Sequence, residues 1–266
     1  MSTIKGQGMS KTLLTLAAGL TLAAPMAMAA QSCTPDQLNS LEEDKRFFGP
    51  LSWPVCKALP NRPELTLASY YVWTDGGRVG ERTYQWHTVM MDSSTNEVLA
   101  KFQQEIQEDS VTKVRPDSIW LDTANYALNQ DVRAFGVRLN TGRKPECARD
   151  YRGQFFNLFV YHNNILTRVV ENLPMAFSRV HEGKDCGDDQ RWEKEVGKSQ
   201  LQMLSAKHYG FADIRVKTKG KVYFEPIHRQ QDKTRSHSYT LKYDGQRYRF
   251  EESQLPGYRW RDYKGF

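Results

Sequence analysis

The stretch from Phe211 to Phe250, FADIRVKTKGKVYFEPIHRQQDKTRSHSYTLKYDGQRYRF, decides the fold class. Short runs of β-branched and aromatic residues in it alternate with polar residues, a pattern typical of β-strands. The Asp244-Gly245 pair lies between SYTLKY and QRYRF, where it predicts a hairpin turn. The stretch contains no recognisable reactive group, but it is rich in tyrosine, arginine and lysine. We interpret it first as a sheet, with a surface that binds an acidic partner as the alternative.

The central part of the chain repeats this pattern in short apolar segments separated by turn signals. Asp75-Gly76-Gly77 and His162-Asn163-Asn164 have the composition of tight turns between strands. The segment 97–109 fits a strand or a helix, and its pattern leaves the two open. Together these features predict a mainly β protein with antiparallel sheets, either a sandwich or a partial propeller-like meander, with a short N-terminal helix.

The polar segment 178–199 interrupts the rhythm of the strands, and we expect a long surface loop or a short helix there. A soft boundary is placed near Lys198. The expected organisation is a signal peptide over 1–29, a disulfide-stapled helical arm over 30–60, a main β domain over 61–197 and a C-terminal β-meander, packed on it or continuous with it, over 198–266.

A capped helix is predicted just after the first cysteine. Thr34 has the side chain of an N-cap, Pro35 suits the first helical position, and Gln37 completes a capping box. One stripe of this helix is formed by Leu38, Leu41, Lys45 and Phe48. A recognition helix and a helix lying across a sheet edge are both compatible with this pattern.

The N-terminus has the features of a secretory signal peptide. Lys11 supplies a basic flank, residues 13–24 form an apolar core, and Ala27-Met28-Ala29 is a small-residue cleavage pattern. The apolar core is shorter than the roughly 20 residues of a spanning helix, so no transmembrane segment is expected. We expect a soluble periplasmic protein.

Four cysteines follow the expected cleavage point, and an even number in an oxidising compartment predicts two disulfides. The simplest pairing joins sequence neighbours, Cys33 with Cys56 and Cys147 with Cys186. A metal site is the alternative, but no C-x-x-C or Cys/His spacing supports it, and no metal or other cofactor is expected.

The net charge of +6 falls to +4 when Lys5 and Lys11 are removed with the signal peptide. Both signs are interspersed along the chain, so the excess does not predict a nucleic-acid-binding protein.

GFADIRV, followed by YTLKYDGQRYRF, resembles a blade of the FG-GAP type found in β-propeller proteins, and also C-terminal hairpins of uncharacterised secreted proteins of Gram-negative bacteria. The resemblance covers about forty residues and implies one strand-rich blade. The calcium loop of that family is absent, because Ala206, Lys207, His208 and Tyr209 stand in its place. Calcium binding is therefore not implied.

Candidate catalytic groups are few. Ser110 and Lys113 match Ser-x-x-Lys, but Ser110 does not begin an apolar helix, and the third element of such enzymes would be the divergent 217–220. Asp122 is either a turn acid or a catalytic one. His228 and His237 could meet across a hairpin, and a loop cluster of acids could bind a cation; it comprises Asp185, Asp188 and Asp189. For these histidines and acids, solvent-facing strand and loop positions are the competing interpretation.

The last third combines the residue types that concentrate binding energy at interfaces. The candidate binding residues are Tyr243, Arg247, Arg249, Tyr258, Arg259, Trp260 and Arg261. Alternation could instead place Tyr248 and Phe250 in a core. The sequence predicts a non-catalytic periplasmic binding protein with a protein partner, such as an inhibitor or immunity protein against an envelope-targeting toxin or hydrolase. A module that binds cell-wall glycan and an envelope hydrolase are the alternatives.

Overall fold

The computed structural model describes residues 32–44, 49–75, 82–144, 148–183, 192–225 and 233–255. The chain is mainly β, with two antiparallel sheets, one of them curled into a half-barrel, and one short helix near the N-terminus. The predicted fold class is therefore confirmed. None of the helices in the described ranges is both long and apolar enough to cross a membrane.

Helix α1 spans Pro35–Asp44 and begins with the predicted cap. The Gln37 amide donates to Thr34 Oγ1 at 3.3 Å, and the Thr34 amide donates to Gln37 Oε1 at 2.9 Å. These bonds satisfy backbone donors that the first turn leaves open. Leu41 is fully buried against the first sheet, while Lys45 and Phe48 lie outside the described residues.

The disulfide between Cys33 and Cys56 is present and joins the segment just before α1 to the first strand. The second predicted pair, Cys147 with Cys186, lies outside the described residues. Lys101 also holds the helix, since its ammonium donates to the Asp44 carboxylate at 2.5 Å. The arm is therefore tied to the first sheet at both ends of α1.

Replacing both Cys33 and Cys56 with serine is expected to lower the free energy of unfolding by about 3 kcal/mol. The bond closes a loop with a sequence separation of 23 residues, and opening it restores that loop's entropy to the unfolded chain. Urea unfolding followed by far-ultraviolet circular dichroism measures the difference. A loss below about 1 kcal/mol would contradict this entropic account.

The first sheet is a four-stranded antiparallel meander in the order β1-β2-β3-β4. Its strands are β1 Leu51–Leu59, β2 Arg62–Asp75, β3 Thr83–Asp92 and β4 Val98–Gln107. The segment that fitted either a helix or a strand is therefore strand β4, paired with β3 from Thr83↔Gln107 to Met91↔Val98. The return segment after α1, expected as part of a helical arm, contributes β1 to the sheet.

The second sheet has seven antiparallel strands in the order β11-β10-β9-β8-β7-β6-β5. They are β5 Ile119–Ala127, β6 Arg133–Leu139, β7 Asp150–His162, β8 Ile165–Glu182, β9 Trp192–His208, β10 Phe211–Glu225 and β11 Lys233–Leu241. Every strand pairs with its sequence neighbour, so the quoted stretch supplies the β10–β11 end of one continuous meander. Lys198 lies within β9, and the sheet runs through the expected boundary without interruption.

Two of the predicted turns are stabilised by their own residues. Asn163 and Asn164 join β7 to β8 with φ angles of 50° and 58°, a left-handed conformation that asparagine tolerates. At the other turn, Asp244 Oδ1 accepts the Gln246 and Arg247 amides at 2.9 and 2.8 Å.

The expected loop or short helix over 178–199 is wrong at both ends. β8 continues through Glu182, and β9 already begins at Trp192. The charged residues are accommodated in the ladder because partners from distant strands neutralise them: Glu195 Oε2 lies 3.3 Å from Arg235 Nη1. A local pattern of polar residues does not show that a distant residue neutralises these charges.

The core is layered. A cluster that includes Trp86, Phe135 and Phe159 fills the space between the two sheets. A second lies on the other face of the seven-stranded sheet, hereafter its inner face, where residues from Tyr243 to Leu255 pack over β9–β11. α1 covers the remaining face of the first sheet. The outer face of β9–β11, opposite the inner face, carries none of these clusters.

Candidate binding surface

Strand β10 separates its side chains into two chemically different faces. Val216, Thr218 and Val222 are buried on the inner face. The residues between them point outward because side chains alternate along a strand. These outward residues are Arg215, Lys217, Lys219 and Lys221. Four cations therefore follow one another at intervals of about 7 Å along one strand.

The neighbouring strand extends this array. Lys198 of β9 stands directly opposite Lys219, and Lys194 stands opposite Tyr223. Adjacent strands lie about 4.8 Å apart, so the cations form two rows on a rigid frame. We call this surface the basic face; its residues are Lys194, Lys198, Arg215, Lys217, Lys219 and Lys221.

No carboxylate lies on the outer face of the described β9–β11 ladder over 194–202, 215–223 and 234–240. Lys198, Lys217 and Lys219 are exposed, and among the described residues none of them has a carboxylate within 4 Å. The third strand, β11, places hydroxyl residues beside them: Thr234, Ser236, Ser238 and Thr240. Lys198, Lys217 and Lys219 are therefore like charges that no described carboxylate neutralises, and such a patch attracts an external anionic surface.

Glu195, an acid of the same strands, lies on the inner face. Glu195 Oε2 lies 3.0 Å from His181 Nε2 and 3.3 Å from Arg235 Nη1. Gly220 makes this burial possible, because a Cβ at that position would lie 2.3 Å from Glu195 Oε1. Burying Glu195 thus removes the nearest negative charge from the outside of the sheet.

The basic face ends in an exposed apolar pair. Val196 is 38% exposed and stands opposite Lys221, while Tyr223 is 37% exposed. The Lys221 ammonium lies 5.3 Å from the centre of the Tyr223 ring, a cation–π distance. An aromatic anchor beside charged groups is the composition of a protein interface.

The predicted binding residues occupy the segment that follows β11. Tyr243 packs against Phe211, with ring centroids 4.6 Å apart. Arg247 and Arg249 are exposed but lie 3.8 Å from Glu171 and 2.6 Å from Asp244, respectively. Tyr248 is buried and donates to the Ala212 carbonyl at 2.6 Å, and burial raises its pKa. The other predicted residues, Tyr258, Arg259, Trp260 and Arg261, lie outside the described residues.

In the described ranges, no contact brings together the residues of the Ser-x-x-Lys pattern, Ser110 and Lys113. Ser110 lies in an exposed turn after β4, where Asp109 Oδ1 accepts the Val111 and Thr112 amides at 2.8 and 2.6 Å. No hydrogen bond joins Ser110 to Lys113 in this part of the chain. The third element, 217–220, lies in the middle of β10.

The described histidines are held by local structural contacts. His208 Nδ1 lies 2.7 Å from Asp213 Oδ1, and His237 Nε2 lies 3.1 Å from the Gln254 carbonyl. His87 is fully buried and stacks on Tyr70; burial lowers its pKa to about 4, and Lys101 adds to the effect. His228 and the acids at 185, 188 and 189 lie outside the described residues. Within the described ranges, no three His, Cys, Asp or Glu side chains are grouped as for a metal.

The chain matches no known protein family, and neither a curated protein nor a solved structure is significantly similar to it. The resemblance of β10 to an FG-GAP blade therefore stays a prediction, and the surface chemistry carries the functional argument. Sequence reasoning considered a surface for an acidic partner within 211–250 but named no residue of β10, although the alternation Arg215-x-Lys217-x-Lys219-x-Lys221 was a usable signal.

Proposed function

We propose that this protein is a non-catalytic binding protein of the periplasm that holds an acidic protein partner on its basic face. In its most concrete form, it is an inhibitor or immunity-type protein that blocks a toxin or hydrolase acting on the cell envelope. The observation that carries the proposal is the row of cations from Arg215 to Lys221 on the outer face of β10, with no carboxylate on that face over 194–202, 215–223 and 234–240.

The charge pattern favours an acidic partner for two reasons. The cations are attached to a paired central strand, so little conformational entropy of the backbone is lost when a partner binds. A concentrated patch also accelerates encounter with an oppositely charged surface. Both effects suit an inhibitor that must reach its target rapidly.

The apolar pair at the end of the face favours a protein over a simple polyanion. Tyr223 and Val196 supply the anchor that an extended phosphate or carboxylate polymer does not need. Lysines around such an anchor contribute mainly to association rate and specificity.

Cell-wall glycan is the second candidate, favoured by one observation. The hydroxyls of β11 lie beside the lysines, and together they can donate to sugar hydroxyls and carboxylates. Tyr223 could then stack on a sugar ring. This candidate predicts retention on purified peptidoglycan that the change Tyr223→Ala reduces.

The test combines binding with enzyme inhibition. Purified envelope hydrolases with acidic surfaces are mixed with the protein, and binding and turnover of labelled peptidoglycan are measured at low and high salt. The change Lys217→Glu/Lys219→Glu is expected to weaken binding at least tenfold at low salt and to flatten the salt dependence, because the central cations are reversed.

The control variant is Arg247→Glu/Arg249→Glu, which makes the same change in net charge on the segment that sequence reasoning favoured. It is expected to change binding by less than about twofold, since both arginines already face carboxylates. Equal losses in the two variants would contradict the assignment to the basic face. Retention on peptidoglycan without inhibition of any hydrolase would replace the protein partner by glycan.

A further inference from the structure

A cleft of about 210 Å³ lies at one end of the space between the two sheets. One wall is the turn that joins β1 to β2, from Leu59 to Arg62. The opposite wall is formed by β5, β6 and the turn between them, with Thr123, Asp131 and the residues from Arg133 to Phe135. The cleft is on a different part of the molecule from the basic face, and nothing in the proposed function uses it.

The interior of the cleft is apolar. Phe135 is almost fully buried, and Leu59 lines the opposite side; both belong to the cluster between the two sheets. A cavity of roughly 150 Å³ is large enough to bind benzene. The cleft therefore has room for an aromatic ring with one small substituent.

Arg133 gives the cleft its polar character. Its side chain is half-buried, and Nη2 donates to the Thr123 carbonyl at 3.1 Å. Among the described residues, no carboxylate lies within 4 Å of its guanidinium. A guanidinium carries five N–H donors, and carboxylates accept from two of them at once. The cleft thus combines an apolar interior with a cation that no described carboxylate neutralises.

The other charged side chains restrict the ligand to one negative charge. Arg62 also lines the cleft, but its Nε donates to Glu64 at 2.8 Å. Asp131 is exposed at the same wall and repels additional negative charge. A monocarboxylate meets less of this repulsion than a phosphate or a dicarboxylate, because it carries less negative charge.

We propose that the cleft binds a small monocarboxylate with an apolar body about the size of an aromatic ring, and that Arg133 holds the carboxylate. The apolar body lies against Leu59 and Phe135, which belong to the cluster between the two sheets. The proposal is independent of the proposed function, because it concerns other residues and another ligand.

The test is a titration of ¹⁵N-labelled protein with benzoate and, separately, with benzyl alcohol, followed by amide chemical shifts. Benzoate is expected to shift the amides at 59–62 and 133–135 and to bind at least tenfold more tightly than the neutral alcohol, because only benzoate forms a charge-assisted pair. The change Arg133→Met should weaken benzoate at least tenfold and leave benzyl alcohol unchanged.

Two further variants complete the experiment. Asn61→Trp places a large ring at the mouth of the cleft and should abolish binding of both compounds. Arg115→Met removes a guanidinium that does not line the cleft, and benzoate affinity should not change. Equal affinities for the two compounds, shifts at other sites only, or full benzoate binding by Arg133→Met would overturn the proposal.

Discussion

Replacing Asp122 with alanine is expected to lower the free energy of unfolding by about 3–5 kcal/mol. Asp122 Oδ2 accepts from Arg138 Nε and Nη2 at 2.9 and 2.6 Å and from the Tyr126 hydroxyl at 2.9 Å. Only 6% of the Asp122 side chain and 19% of the Arg138 side chain are exposed. The variant therefore leaves a largely buried guanidinium without its counter-ion. Urea unfolding followed by tryptophan fluorescence measures the loss.

The matched control is Asp117→Ala, which removes an exposed carboxylate 4.0 Å from Arg115. Exposed pairs contribute about 0–1 kcal/mol, so this variant should unfold almost like the original protein. If both variants lost the same amount, the Asp122 pair would have no special structural role. The contacts themselves place Asp122 in an ion pair between β5 and β6, rather than in a solvent-exposed turn.

Replacing Trp86 with alanine is expected to lower the free energy of unfolding by about 3–5 kcal/mol. Trp86 is fully buried between the two sheets, with its ring 5.5 Å from Phe102 and 6.0 Å from Phe159 between centroids. Its Nε1 donates to Ser69 Oγ at 2.8 Å. Removing the ring leaves a cavity in the layer that joins the sheets, and the Ser69 hydroxyl loses a donor. Chemical denaturation and differential scanning calorimetry both report the change.

Trp120→Ala provides the control of the same residue type. Trp120 is 37% exposed, and its ring centre lies 4.8 Å from Cζ of the Arg138 guanidinium. Its replacement should therefore lower the free energy of unfolding by only about 1 kcal/mol. Trp86→Phe should fall between the two, because it retains most of the ring volume but not the hydrogen bond. A Trp86→Ala loss as small as that of Trp120→Ala would contradict the central position of Trp86 in the core.

Local chemistry was sufficient to predict the strand-rich fold class, the cap of α1 and several turns. Thr34 and Gln37 are three residues apart, and the Asn163-Asn164 turn requires only its own backbone conformation. The segment 97–109 was undecided because an apolar residue at every fourth position fits two periods. The segment forms strand β4 because pairing with β3 and packing of Phe102 against Trp86 favour the strand.

For the candidate binding surface, in contrast, local chemistry was not sufficient. Sequence reasoning turned to Arg247 and Arg249, which the structure pairs with carboxylates. It considered a surface for an acidic partner within 211–250 but assigned no residue of β10 to it. Only the register between strands shows that Lys198 joins Lys219 outside while Glu195 is turned inward.

The sequence by itself determined the mainly β class, the cap of the N-terminal helix and the turns, because each depends on residues within a few positions of one another. The alternation along β10 was also present in it. Only the tertiary structure decided which side of β10 faces outward and which acids are neutralised. Those outcomes depend on partners such as Glu195 and Arg235, which are 40 residues apart and meet only when the sheet is assembled.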